Sequence, residues 1–159
     1  MGEKLTTGEI CTRSVTIAFR RTALDEAARL MRENHVGCLV VVDDMPDQRT
    51  VIGLLTDRDI VTAAVSADLP PRALRVEDVM TTDLVVAREE DSVIDLIRTM
   101  RSKGVRRVPV VGQQNELIGI VTFDDVLGIL SEELDLLVAV VGSEGKRERV
   151  MRASLTAMA

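Results

Sequence analysis

The chain contains an internal repeat, and this repeat constrains the fold more than any other feature. Residues 9–18 correspond to residues 78–87 at an offset of 69, and residues 52–60 correspond to residues 118–126 at an offset of 66. Each copy ends in Ile-Gly-x-x-Thr-x-x-Asp. Repeats of this kind identify folds that are built from duplicated units. We therefore expect two equivalent halves about a pseudo-two-fold axis, with one related site in each half.

The order of elements is the same in both halves. Short apolar runs predict strands at residues 15–18, 36–42 and 51–55, and again at 84–87, 105–111 and 117–121. Helical spacing follows the first strand of each half, and a helix follows the last. Each half is therefore predicted to be β-α-β-β-α, in an α/β (α+β) sandwich. We expect motifs at residues 8–66 and 77–131, a linker at residues 67–76 and a helical tail at residues 132–159.

The composition excludes several classes of protein. The net charge of −6 disfavours non-specific binding to nucleic acid or to an anionic membrane. No run of about 18 apolar residues is present, so no membrane span is expected. Cys11 and Cys38 fit no paired-cysteine motif, which favours buried thiols in a reducing compartment. We therefore expect a cytoplasmic protein with neither nucleic acid nor a membrane as partner.

The tail carries an apolar stripe. Leucine and valine recur at intervals of three and four residues from Leu127 to Val141, and Gly142 and Gly145 interrupt this stripe before residues 146–158 resume it. Two interpretations are equally open: the stripe covers one end of the core, or it forms a dimer surface. An apolar stripe of this length is an aggregation risk on a monomer, so we expect a homodimer.

The repeated Thr-x-x-Asp motifs are the candidate binding residues. Thr56 and Asp59 form the first motif, with Arg58 between them, and Thr122 and Asp125 form the second. Each threonine ends a strand where a helix begins, so free N–H groups point outward. A carboxylate can accept from two ribose hydroxyls. One such motif alone would be an ordinary helix cap, but two at matching positions favour a binding role.

Arginines stand at the start of the middle strand in the second half only. Arg106 and Arg107 precede Val108-Pro109, and the equivalent positions in the first half are Gly37 and Cys38. Arginine at the start of a buried strand suits a phosphate. The two clefts are therefore predicted to differ in their charge. His35 is the only histidine, so neither a metal site nor a catalytic triad is expected.

These motifs resemble those of a CBS domain pair, also called a Bateman module. The resemblance covers residues 8–131 and depends on the doubled Ile-Gly-x-x-Thr-x-x-Asp and on Gly104 to Val111. It implies regulatory binding of AMP, ADP, ATP or S-adenosylmethionine, with no cofactor required. Asp59 and Asp125 would hold ribose, Thr56 and Thr122 would assist, and Arg107 and Arg106 would bind phosphate. The apolar positions that would enclose adenine are Ile17, Val36, Val86 and Val105, and the first half departs from the pattern at Cys38 and Val40, where the second has Arg107 and Pro109.

The resemblance also implies a stand-alone CBS protein that forms a disc-shaped homodimer. Ligand would bridge the halves, and an unknown regulated protein partner would respond to the change. The alternative is a ligand-free adapter that docks a partner through its helical tail. Intact Thr-x-x-Asp motifs in both halves favour the binding module, because an empty cleft requires neither motif.

Overall fold

The computed structural model of the chain describes residues 5–43, 49–66 and 68–157. The chain divides into two compact units, of which the first ends at Phe123 and the second begins at Asp124. Described strands are β1 (Ile17–Phe19), β2 (Cys38–Val42), β3 (Val51–Thr56), β4 (Ala87–Arg88), β5 (Arg107–Val111) and β6 (Leu117–Thr122). Described helices are α1 (Thr7–Ile10), α2 (Leu24–Glu33), α3 (Asp57–Ile60), α4 (Val93–Lys103) and α5 (Phe123–Ala157). Helix α3 continues as a π-helical turn over Val61–Val65, and 3₁₀ turns cover Pro71–Ala73 and Val76–Asp78.

The strands form two three-stranded sheets of the same design. One sheet has the order β1-β2-β3 and the other β4-β5-β6, and in each the first pair is parallel and the second antiparallel. This confirms the duplicated β-α-β-β-α fold. The first strand of each half begins later than predicted, at Ile17 and Ala87, because the ladder starts only where these residues pair with Val40 and Val110.

Strand β2 shows why the sheets pack together. Leu39 and Val41 face a cluster that contains Leu24 of α2, whereas Val40 and Val42 face a second cluster. The second cluster also contains Val111 and Ile120 from the other sheet, so the two sheets meet face to face. The continuous apolar run in the sequence therefore reflects a strand that is buried on both sides.

The two halves exchange the segments that precede their first strands. The N–H of Val93, at the start of α4, donates to the carbonyl of Leu5, at 3.1 Å. At the equivalent position of the other half, the N–H of Leu24, at the start of α2, donates to the carbonyl of Leu74, at 3.0 Å. Val76, within the predicted linker, is completely buried in the core of the first half. This exchange carries residues 81–85 of the second half onto the first sheet.

The second unit consists of the remainder of helix α5. The helix runs without a break from Phe123 to Ala157 and continues through Gly142 and Gly145. Glycine lowers helix stability by about 1 kcal/mol relative to alanine, but it retains its N–H donor and does not block the next turn as proline does. A long run of helix-forming residues on either side therefore carries the helix through both positions.

Candidate functional site

One cleft in the first unit brings together predicted site residues from both halves. Its volume is about 230 Å³. Four segments form it: the end of β3, the start of α3, residues 81–85, and the start of β5. The lining residues are Leu54, Thr56, Asp59, Thr81, Asp83, Leu84, Val85, Val105, Arg106, Arg107 and Pro109. The first Thr-x-x-Asp therefore shares its cleft with the arginine pair of the second half.

Thr56 and Asp59 form a tight capping arrangement at the start of α3. Asp59 Oδ2 accepts from the Thr56 N–H at 2.8 Å and from the Thr56 hydroxyl at 2.7 Å. The Asp59 N–H donates back to Thr56 Oγ1 at 3.2 Å. Within the described residues, no protein donor reaches Asp59 Oδ1. One carboxylate oxygen thus holds the helix start, and the other remains available to a ligand in the cleft.

Arg107 extends from the second half towards the first. A Cβ built on Gly37 would lie 3.3 Å from Arg107 Nη2 and 3.3 Å from Asp57 Oδ2, so both side chains lie against this glycine. A larger residue at position 37 would crowd the guanidinium. In the described part of the chain Arg107 forms no salt bridge, which leaves its donors available to an anion.

Arg106 differs from Arg107 in its contacts. Its guanidinium lies over the ring of Phe123, 5.6 Å from the centroid, and its carbonyl accepts from the Phe123 N–H at 2.7 Å. A cation–π contact of this kind fixes the side chain on the aromatic face. Arg106 is therefore held by the start of α5, and Arg107 is the more available of the two cations.

Residues 81–85 form the wall that the sequence did not predict. Thr81 and Leu54 exchange backbone hydrogen bonds of 2.9 and 3.0 Å, which fix this segment against β3. Gly53 permits the approach, since a Cβ there would lie only 2.5 Å from Met80 Sδ. Asp83 adds a second carboxylate to the cleft. The offset of 69, which aligns Thr81 with Thr12, was the available clue that this segment has a structural role.

Several predicted residues lie outside this cleft. Val86 is 40% exposed and lies beyond Val85, which lines the cleft in its place. Arg58 is exposed on α3 and is not among the lining residues. Ile17 and Val36 are half-buried; Val36 packs against the cluster that contains Leu24, and Ile17 packs against the cluster between the two sheets. Val105 and Pro109 do line the cleft.

The second Thr-x-x-Asp divides between the two compact units. Thr122 ends β6 in the first unit, and Asp125 lies in α5 in the second. Thr12 and Ile120 exchange backbone hydrogen bonds of 2.9 and 3.0 Å, as Thr81 and Leu54 do in the other half. The pseudo-two-fold relation therefore extends to the wall segments. Thr122 and Asp125 each have an interaction partner already.

Both cysteine thiols are half-buried. Burial raises the pKa of the Cys38 thiol above its usual value; Arg107 acts against this rise and Asp57 adds to it. Burial likewise raises the pKa of the Cys11 thiol. Both thiols are therefore protonated at neutral pH. Among the described residues, no three His, Cys, Asp or Glu side chains lie close enough together to hold a metal ion.

The family follows from the repeat together with this geometry. The sequence pattern described as the CBS domain matches residues 8–66 and again residues 76–132. The chain belongs to the CBS domain family. Its two CBS motifs correspond to the two sheets, and the cleft lies where the motifs meet. Over the part of the chain that the structure describes, no helix combines the length and apolar content required to cross a membrane.

Relatives and solved structures agree with this family. An uncharacterized protein of Methanopyrus kandleri is 33% identical over 122 residues, which span 77% of this chain and 61% of that protein. Hypoxic response protein 1 of Mycobacterium tuberculosis is 33% identical over 127 residues, or 80% of this chain and 86% of the relative. The CBS domain pair of protein MJ0100, crystallised with 5′-methylthioadenosine and S-adenosyl-L-methionine, superposes with a TM-score of 0.72 at 21% identity, covering 82% of this chain and 99% of that one. The match thus spans less than two thirds of the M. kandleri protein.

Proposed function

We propose that this CBS pair is a regulatory module that binds an adenosine-containing ligand in the cleft of the first unit. The observation that carries the proposal is the meeting of Asp59, from one repeat, with Arg107, from the other. A nucleotide needs acceptors for its ribose hydroxyls and cations for its phosphates, and these two side chains supply both. In this cleft the Thr-x-x-Asp motif comes from the first repeat and the arginines come from the second.

Ribose recognition would depend on the free oxygen of Asp59. Oδ2 is occupied by Thr56, so the carboxylate is already oriented before ligand arrives. Oδ1 can then accept from a hydroxyl without reorganisation, and a charge-assisted bond of this kind is about twice as strong as a neutral one. Thr56 would serve chiefly to hold Asp59 in place.

The charges that line the cleft would limit its preference for ligands with several phosphate groups. Asp59 and Asp83 offset Arg106 and Arg107, so the lining carries two charges of each sign. Small-molecule sites usually enclose about 300–1,000 Å³, and this cleft has about 230 Å³. A nucleoside would therefore remain partly exposed to solvent, with its phosphates directed towards Arg107.

Ligand binding would link the two CBS motifs, since each contributes part of the site. A ligand that fits one relative arrangement of the motifs better than another shifts the population towards that arrangement. A regulated protein partner would respond to this shift. The complex of the MJ0100 pair with two adenosyl compounds supports the ligand class.

We also expect the chain to form a homodimer, so that sedimentation gives twice the chain mass of 17.4 kDa; a monomer would contradict this.

Calorimetric titration with AMP, ADP, ATP, NAD and S-adenosylmethionine tests the proposal. We expect saturable binding by at least one of these ligands, and no hydrolysis of ATP with or without divalent metal. Absence of binding by all five at millimolar concentration would contradict the ligand-binding function. Turnover of ATP would contradict a purely regulatory role.

A further inference from the structure

The second compact unit exposes a regular apolar face. Leu127, Leu130, Leu134, Leu137 and Val141 are spaced by three and four residues along α5 and are between 47% and 70% exposed. This spacing is the heptad pattern through which helices pair. The unit is a single helix, so nothing within it covers this face. The next two positions of the pattern are Glu144 and Glu148, which end the apolar stripe at Val141.

The charges on either side of the stripe have opposite signs. Residues 124–135 contain five carboxylates and no cation: Asp124, Asp125, Glu132, Glu133 and Asp135. Residues 146–152 contain four cations and one carboxylate: Lys146, Arg147, Glu148, Arg149 and Arg152. The most apolar segment, residues 136–141, lies between them. The helix is therefore acidic at one end, apolar in the middle and basic at the other end.

This pattern is self-complementary in one orientation only. In a symmetric pair, the same surface serves both partners, so each region must match the region that it meets on the other copy. Two parallel helices would place acid against acid and base against base. Two antiparallel helices place the acidic end of each beside the basic end of the other, with the apolar segments in contact. The occupant that fits this face is a second copy of the same helix.

We infer that α5 is a self-association surface on which two copies of the chain pair antiparallel, crossing near Leu137. This inference specifies a surface for the self-association expected above and does not depend on ligand binding. Opposite charges orient such pairs and penalise the wrong arrangement, while the apolar contact supplies most of the affinity.

Two glycines offer positions for a test of orientation. A Cβ at Gly128 or Gly145 meets no atom within 4 Å, so cysteine is tolerated at either position. The two positions lie on opposite sides of Leu137. In an antiparallel pair, Gly128 of one copy lies beside Gly145 of the other. Two copies of the same position are then 17 residues apart along the axis, which is about 25 Å.

The experiment uses full-length chains in which Cys11 and Cys38 are replaced by alanine. One chain carries Gly128→Cys and the other Gly145→Cys, and a short bis-maleimide is added to each alone and to the mixture. We expect the mixture to give several times more cross-linked dimer than either chain alone. Cross-linking of each chain alone, at a yield that the mixture does not exceed, would show a parallel pair, and no cross-linking in any sample would show that this face is not paired; both results overturn the inference.

A charge change checks the reason for the orientation. Glu132→Lys together with Glu133→Lys, on the Gly128→Cys chain, places cations within about two helical turns of the first basic residues of the partner, and we expect it to reduce the mixed cross-link several-fold. Both side chains are exposed, so circular dichroism should show unchanged helix content. An unchanged cross-link yield would contradict the charge argument. A dimer in sedimentation without the mixed cross-link would place the dimer contact elsewhere and would leave the ligand-binding proposal unaffected.

Discussion

Asp59→Asn separates the two roles that the structure gives to Asp59. The side-chain carbonyl of asparagine can still accept from the Thr56 N–H and hydroxyl, as Oδ2 does now at 2.8 and 2.7 Å. The other oxygen becomes an NH₂ group, which cannot accept from a ribose hydroxyl. The variant should therefore keep the start of α3 and lose the ligand contact.

The expected effect follows from the energy of that contact. A hydrogen bond to a charged group contributes about 1.5–3 kcal/mol, which is roughly 10- to 100-fold in affinity. The free energy of unfolding should change by less than about 1 kcal/mol, because the cap is retained. Asp59→Ala should weaken binding to a similar extent and also lower stability, since losing a cap costs about 0.5–2 kcal/mol.

Thr6 and Glu9 provide a matched control at the start of α1. Glu9 Oε2 accepts from the Thr6 N–H at 2.7 Å and from its hydroxyl at 2.9 Å, which repeats the Asp59 geometry at a position that does not line the cleft. Calorimetry gives the affinity and urea unfolding gives the stability of Asp59→Asn and Glu9→Gln. If Asp59→Asn weakens the ligand no more than Glu9→Gln does, Asp59 is a helix cap alone and the ribose assignment is wrong.

Three further predictions concern the cations, the thiol and the glycines. Arg107→Ala should weaken ATP by about 10- to 100-fold more than adenosine; equal losses in two titrations would show that Arg107 acts through the fold. Burial raises the pKa of the Cys38 thiol and Arg107 lowers it, so Arg107→Ala should raise this pKa further. When the alkylation rate of Cys38 is measured against pH, the midpoint of the curve should move to higher pH. An unchanged or lower midpoint would place Arg107 away from the thiol. Gly104 has φ of +67°, so Gly104→Ala should cost about 1–2 kcal/mol and lower the melting temperature by several degrees, whereas Gly128→Ala should not lower it.

The sequence predicted the parts of the fold that depend on local pattern. The repeat gave the two β-α-β-β-α halves, and the apolar run at residues 36–42 predicted a strand buried on both faces. Thr-x-x-Asp at a strand end predicted the geometry of Thr56 and Asp59. Each of these features is determined by residues close together in the chain, so periodicity and spacing are sufficient to find them.

The composition of the cleft depends on contacts between distant residues. Whether Arg107 meets Asp59 or Asp125 depends on how the halves interleave, and no local pattern encodes that choice. The placement of residues 81–85 against β3 depends on Gly53 and on the exchanged segment around Val76. For this reason the sequence did not identify Asp83 and Val85 as lining residues of this cleft.

Helix α5 continues through two glycines. Gly142 and Gly145 interrupt the apolar stripe but not the helix, although glycine has a low helix propensity. Propensity is a weak preference of about 1 kcal/mol per residue, and the neighbouring helix-forming residues outweigh it. The same residues make the stripe from Leu127 to Val141 one continuous face.

An adenosine-containing ligand in the cleft between the two CBS motifs should perturb residues of both motifs at once. Amide NMR spectra recorded during titration with the ligand that binds in calorimetry test this directly. We expect the amide signals of Asp59, residues 81–85 and residues 105–107 to shift together and to saturate at the calorimetric affinity. Saturable shifts confined to other residues, with these signals unchanged, would contradict it.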